Sequence, residues 1–245
     1  MSGHLNPAGQ QFRGDRGEAD PRVTAALAAY QVGQGSEQAA LGALAAARLL
    51  VPVIAVPGDR STTAADGDAT PADGDATPAD GGKDSEMVLP TLIGRDGRPA
   101  VLAFTGLDAL ARWRPDARPV PAEADRVWRA AVADGCAVVI DVAGPVPLAV
   151  EGARLAALAA RRPVPPPHED PDVRAEVQAA IAGEPAIAGF SLASGRPGAA
   201  DLAITMHLAP RQDADWGPAV NRAAAGIATR LGARLRRGIE VVIAE

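Results

Sequence analysis

Apolar residues recur at helical spacing early in the chain and change to runs and alternations further on, and these changes of period divide it into elements. Val23, Leu27 and Tyr30 share one helical face, and Asp20-Pro21 before them supplies an N-cap followed by proline at the first helical position. Gly33-Gln34-Gly35 breaks that helix. Ser36 can cap a second one, whose apolar side is Ala40, Leu41, Leu44 and Ala47, so the two read as a helical hairpin. Leu49 to Val56 is an apolar, β-branched run too short for a helix, and Pro52 points to an edge or bulged strand. Residues 1–19 are polar and rich in Gly and Gln and read as a disordered tail, with order beginning at Asp20.

The strand pattern resumes at Met87, with Asp96-Gly97 as a hairpin turn before Ala100 to Phe104. Leu107 to Trp113 is a short helix, and Pro115, Pro119 and Pro121 enforce an extended link. Glu123 to Asp134 is helical with Val127, Trp128, Ala131 and Val132 facing inward, and Gly135 ends it. Ala137 to Val142 is a continuous apolar strand of the kind covered on both faces, and an Ala/Leu helix follows at 151–160.

Four prolines between Pro163 and Pro167 make 161–169 a stiff linker and a domain boundary. Asp170-Pro171 then repeats the capping signal, with Val173, Val177 and Ile181 on one helical face. Ala186–Ala193 and Asp201–Leu208 form a hairpin around Gly195-Arg-Pro-Gly198, followed by a helix at about 218–231 and a strand at Ile239–Ile243. The fold class is therefore α+β: a first domain at 20–160 with a helical hairpin, a mixed sheet and flanking helices, and a smaller α-β-β-α-β domain at 170–245.

Between these elements the composition changes abruptly. Gly67-Asp-Ala-Thr-Pro-Ala-Asp73 is repeated identically as Gly74-Asp-Ala-Thr-Pro-Ala-Asp80, and the stretch 58–84 has almost nothing to bury, which predicts a disordered insert. It carries seven Asp against Arg60 and Lys83, hence five of the six net negative charges of the 245-residue chain. The acidity belongs to the insert, so it says nothing about a basic partner of the folded body. Aromatics are 3% of a chain that is 47% hydrophobic, so alanine must supply much of the packing. A single cysteine, Cys136, excludes an intrachain disulfide framework and multi-cysteine metal sites. No apolar run reaches the ~20 residues of a membrane span, and the first residues lack a signal-peptide core, which makes the cytoplasm the expected compartment.

The block Met87-Val-Leu-Pro-Thr-Leu-Ile-Gly-Arg-Asp-Gly-Arg-Pro-Ala-Val-Leu-Ala-Phe-Thr105, with Leu107, Leu110, Trp113 and Arg118-Pro-Val-Pro121 after it, resembles the SseB family as it occurs in actinobacteria. Two helices followed by an apolar strand at 21–56 fit the start of that family. The resemblance covers about 20–160 as the SseB N-terminal domain, and 168–245 resembles the second domain often found after it. It implies no catalytic residue and no cofactor, and the acidic insert departs from the compact family pattern.

Candidate chemistry is sparse. Cys136 lacks a local base and an electropositive setting and reads as a small core residue. Asp141, inside Val138-Val-Ile-Asp-Val142, is a possible functional carboxylate, weighed against a strand-end acid bonded to loop amides. Gly189-Phe-Ser-Leu-Ala193 lacks the last glycine and the strand-turn-helix context of a nucleophile elbow. His207 has no second metal ligand at useful spacing, and the Asp66-Gly-Asp68 repeats lack the order of a calcium loop, so no metal site is assigned. Arg230, Arg234, Arg236 and Arg237 cluster after the last helix, where cations suit its C-terminus, and the acidic chain without an aromatic platform disfavours nucleic acid.

Trp113, bracketed by Arg112 and Arg114 and followed by Arg118 in a rigid Pro-rich strip, is the best candidate for a partner-facing anchor, weighed against closure of a core short of aromatics. These residues point to a non-catalytic interaction or regulatory protein with a protein partner, no cofactor and no membrane contact. The alternative is an enzyme or small-molecule-binding protein using carboxylate and Arg groups, with Asp141 the first to test. A pocket gathering Asp141 with an Arg and another acid would favour that alternative, and a flat apolar patch the first reading.

Overall fold

The capping signals act as their chemistry requires. The Asp20 carboxylate accepts the Arg22 amide at 2.7 Å and Pro21 opens α1 (Pro21–Gln31), while Ser36 Oγ accepts the Ala39 amide at 3.1 Å at the start of α2 (Glu37–Ala45). The computed structural model describes residue 12 and residues 14–57, 85–88, 90–94, 97–210 and 216–244. The insert 58–84 with its repeats, most of the N-terminal tail and Asp96 of the hairpin turn lie outside the described residues.

Three sheets follow in an α+β arrangement. β1 (Arg48–Pro57) pairs antiparallel with β5 (Arg118–Glu123) along its first half and with β2 (Ser85–Val88) along its end. A four-stranded sheet runs in the order β3 (Thr91–Ile93), β4 (Pro99–Ala103), β6 (Ala137–Ile140), β7 (Leu148–Val150), with β4 and β6 parallel. Packed around these are α3 (Leu107–Trp113), α4 (Ala124–Ala133) and α5 (Gly152–Ala159). The last unit is α6 (Pro171–Ile181), β8 (Ile187–Ser194), β9 (Leu202–Leu208), α7 (Gly217–Leu231) and β10 (Ile239–Ala244), with sheet order β10-β9-β8 and β10 parallel to β9. Its apolar cluster draws only on residues from Val173 onward.

Four expectations need correction. Pro52 does not put β1 at an edge: the Leu50 amide and carbonyl both bond Phe104 at 2.8 Å, so the Pro52 nitrogen, two residues on, falls in the gap between that bridge and the β2 ladder. Residues 118–121 are more than a link, because they form β5. Leu50 faces Pro121 as a pair whose ladder bonds point away from β5, so Pro119 and Pro121 turn their nitrogens to the open edge, where no donor is needed. Val132 is exposed, and only Val127, Trp128 and Ala131 of that face are buried. Order also begins before Asp20: the Gly17 carbonyl accepts the Leu107 amide at 2.8 Å, filling an orphan donor of α3, and Asp15 pairs with Arg48 at 2.7 Å. Gly17 is needed there, since its φ is 76° and a Cβ would stand 2.4 Å from Leu107 Cγ.

The two parts of the chain meet at a buried cluster of charge. Glu37 in α2 accepts from Arg154 of α5 at 2.5 Å and from Arg234, beyond α7, at 3.1 Å; Arg234 also reaches Asp170, the N-cap of α6, at 2.7 Å. The Tyr30 hydroxyl donates to the Arg234 carbonyl at 2.8 Å, and Arg236 lies 5.3 Å over the Tyr30 ring. The stretch 161–169 runs against the first unit, with Val164 packed on its core and the Pro165 carbonyl accepting from Gln38.

Two outcomes follow. Replacing Arg234 with Ala leaves Glu37 and Asp170 buried without their shared cation, and urea denaturation should show a loss of about 3–5 kcal/mol; a loss below about 1 kcal/mol would mean water takes over the role. Because Pro57 and Ser85 are register partners, deletion of 61–82 closes a loop between chain ends already paired. Its effect on the unfolding free energy should stay within about 1 kcal/mol, and a cooperative melt near that of the full chain checks it.

Candidate functional site

β4 and β6 run parallel, so their carboxyl ends come out side by side, and the residues that leave them are Thr105 and Asp141. The Asp141 amide makes a last ladder-like bond to the Ala103 carbonyl at 3.0 Å, and its φ of 47° ends the strand at Ile140, two residues short of the expected Val142. Aspartate tolerates this left-handed geometry better than most side chains. The turn closes when the Gly144 amide donates to the Asp141 carbonyl at 2.7 Å, and a Cβ on Gly144 would lie 2.8 Å from that of Asp141.

The Asp141 carboxyl is buried and both of its oxygens are engaged. Oδ1 accepts the Thr105 amide at 2.8 Å and Oδ2 the Thr105 hydroxyl at 2.7 Å. Burial pushes its pKa above the ordinary aspartate value, and the two Thr105 bonds and the nearby Arg112 charge oppose that rise. Thr105 passes the connection on, since its carbonyl accepts from Arg48 at 2.9 Å and Arg48 holds Asp15 and the Glu18 carbonyl. The segment 15–18 is thus fixed by a chain of polar contacts that begins at Asp141.

Beside this brace lies a cleft of about 430 Å³ between the 16–19 segment, α1, the start of α3 and the turn at 141–146. Asp141, Arg112, Arg16, Asp108 and Thr105 all line it, and Gln31 closes one side by donating to the Pro145 carbonyl at 2.8 Å. Arg16 and Arg112 are exposed and form no ion pair among the described residues, although Glu18 also lines the cleft and the Arg112 charge acts on Asp141.

Of the residues singled out from the sequence, the structure brings Asp141 and Arg112 together and leaves the others outside the cleft. Trp113 is half-buried, its ring 5.5 Å from that of Phe104, which holds α3 against the core and thereby sets where Arg112 stands. Arg114 pairs with Asp116 at 3.1 Å, and Arg118 is exposed at the start of β5. Arg16, Asp108 and Thr105 were not foreseen. A Thr directly after one apolar strand and an Asp directly after another is the signal that could have found the brace.

The remaining candidates have ordinary surroundings. Cys136 is half-buried with its Sγ 3.5 Å from the Asp134 carbonyl, and His207 is exposed on β9. Ser191 lies within β8, without the strand-turn-helix of a nucleophile elbow. The late arginines are engaged separately: Arg230 with Glu176 at 2.9 Å, Arg237 with Asp201 at 2.9 Å, Arg234 in the buried cluster and Arg236 on Tyr30. No group of three or more His, Cys, Asp or Glu is placed to hold a metal among the described residues, and none of their helices is long and apolar enough to cross a membrane.

The raised Asp141 carboxyl makes a pH-dependent prediction. Folded chains hold that proton more tightly than unfolded ones, so the contribution of Asp141 to wild-type stability falls as pH rises from about 4 through the raised value. Asp141→Asn removes this titration, and its unfolding free energy relative to wild type should improve over the same interval, on top of a constant loss of about 1 kcal/mol from altered bonding to Thr105. A difference between the two proteins that does not change with pH would show that Asp141 titrates as it does in the unfolded chain.

The family model for the SseB protein N-terminal domain matches residues 23–157. Searches of curated proteins and of solved structures find no match.

Proposed function

Because this chain belongs to the SseB family, with the family's N-terminal domain at 23–157, we propose that it is a non-catalytic interaction or regulatory protein whose cleft beside Asp141 takes an acidic segment of a protein partner. The observation that carries this reading is the pair Arg16 and Arg112. Most guanidiniums in the structure face a carboxylate of the chain itself, whereas these two line one concave site with no such partner among the described residues. A guanidinium pair on a cleft with a partly apolar wall recognises carboxylates by charge and by paired N–H donors. Trp113, stacked near Phe104, holds in place the helix that carries Arg112.

The alternative, catalysis or small-molecule binding, is favoured by one observation: the cleft does gather Asp141 with Arg112 and a second acid, Asp108. Against a catalytic role stands the bonding of Asp141. A general acid or base needs a free oxygen directed at substrate, and both Asp141 oxygens already bond Thr105, one of them to its backbone amide. The carboxyl serves as a brace that shapes the cleft.

Capture of partners from the native host, identified by mass spectrometry, tests the proposal through charge reversal. The double variant Arg16→Glu/Arg112→Glu should fold with a near-native melt, since both residues are exposed, and should lose the partners that wild type retains. Their retention should also weaken as salt rises, as expected for contacts screened within about 10 Å at 0.1 M. Identical partner lists for the two proteins would rule out this cleft as the docking site.

A further inference from the structure

The edges of the three sheets differ in how they are closed. A strand with one unpaired side presents amides and carbonyls to any strand that reaches it, and proteins blunt such edges by shortness, proline, bulges or charge. Among the described residues, β2, β3 and β7 are edges of only three or four residues. β5 carries Pro119 and Pro121 on its outer side, and the β8 ladder is irregular between Ile187 and Gly189. The remaining edge is β10. It runs for six residues, Ile239-Glu-Val-Val-Ile-Ala244, without proline, lysine or bulge, and its one charge, Glu240, is held by Arg196 at 3.0 Å.

The turn before the strand fixes which main-chain groups lie open. The Gly238 carbonyl faces β9, where it accepts the Asp201 amide at 3.0 Å. The Ile239 amide, at the other end of the same planar peptide, therefore faces outward, and alternation along the strand puts the amides and carbonyls of Val241 and Ile243 on that side too. No main-chain group of the described residues bonds them.

The side chains of β10 are apolar on both faces of the sheet. Ile239 and Val241 lie on the cluster beneath α6 and α7, but Ile243 on that face is 53% exposed, and Val242 on the opposite face is 45% exposed. Such a run suits a strand with neighbours on both sides.

We infer that β10 is the interface of a homodimer, in which it pairs antiparallel with β10 of a second copy about a two-fold axis. An axis perpendicular to the sheet keeps like faces together, so each residue stands opposite one an even number of positions away. With Val241 opposite Val241 of the second copy, Ile239 stands opposite Ile243, and each of these pairs exchanges two main-chain bonds. Every outward amide and carbonyl of the strand is then used. On the other face Val242 stands opposite Glu240 of the second copy, whose charge its own Arg196 meets, so no like charges are opposed. A second copy is the occupant because this one segment matches its own bonding pattern, apolar positions and single charge in a closed arrangement. At about one bond per 100–200 Å², the exchanged bonds correspond to about 600–1,200 Å² of interface, the size of a weak, reversible dimer. The edge shares no residue with the Asp141 cleft, so it stands or falls apart from the acidic-partner proposal.

Sedimentation equilibrium of the full chain from about 1 μM to about 1 mM should show the mass rising from one chain toward two. Ile243→Pro removes an outward amide and leaves the bonds to β9, so it should weaken association about tenfold with a near-native melt. Position 242 tests the register. Val242→Glu opposes Glu240 of the second copy and should weaken the dimer about tenfold, whereas Val242→Arg faces the same carboxylate and should retain or strengthen it. Val242 is exposed, so these two variants decide the matter even where proline at 243 disturbs the strand. The inference fails if the mass stays that of one chain throughout, which leaves the edge to water. It also fails if Val242→Glu associates as tightly as wild type, or if Val242→Arg weakens association as much as Val242→Glu.

Discussion

Glu37, Arg154, Arg234 and Asp170 are the groups on which the arrangement of the whole chain depends, because four charges taken out of water must stay together. Each would carry a desolvation penalty of several kcal/mol alone, and the penalty is offset only while the guanidiniums and carboxylates keep contact. The four come from α2, α5, the turn after α7 and the cap of α6, so separating the two halves of the chain would expose the pairs or strand one partner in an apolar setting. Asp170 acts in two places at once, since its other oxygen accepts the Asp172 amide at 2.8 Å and starts α6. The helix start of the C-terminal unit and its attachment to the rest of the chain are therefore one piece of chemistry.

The Asp141 brace works by the same logic on a smaller scale. Parallel strands leave adjacent carboxyl ends, and in open sheets of this kind the crevice beyond those ends is where ligands settle. Here the crevice needs a wall that the sheet does not provide. The polar relay from Asp141 through Thr105 to Arg48 supplies it, drawing the 15–18 segment across the start of α3. Arg16 reaches the cleft only because that segment is anchored on both sides of it, at Asp15 and at the Gly17 and Glu18 carbonyls.

How much of this was legible in the sequence follows from the range of the interactions. Local chemistry could be read directly: Asp20 and Asp170 capping α1 and α6, Ser36 capping α2, Gly135 in its left-handed turn and the alternation of β9 all stand where spacing put them. Prolines misled, because their effect on a strand depends on which edge the missing donor faces, and that is a tertiary fact. The anchoring of residues 14–19 was invisible, since it runs mostly through backbone carbonyls that any sequence possesses. Glu37 and Arg234 are 197 positions apart, and neither position announces the other. Asp141 was suspect for its place at a strand end, but its partner Thr105 follows the end of another strand, and only the parallel pairing of β4 and β6 makes them neighbours.

Arginine usage explains why clefts, and not single residues, carry the functional argument. An isolated guanidinium at the surface is well hydrated and costs little, so Arg22 and Arg118 need no partner to be tolerated. A guanidinium on a concave wall loses part of its hydration, and a second one beside it adds repulsion that grows as water is excluded. Structural arginines avoid both costs by facing carboxylates, as Arg48, Arg222 and Arg237 do with Asp15, Glu184 and Asp201. Arg16 and Arg112 instead stand on one cleft without an ion pair among the described residues, beside Glu18, Asp108 and Asp141. On the function proposed above, a carboxylate of the partner supplies the ion pair that each of these two guanidiniums lacks.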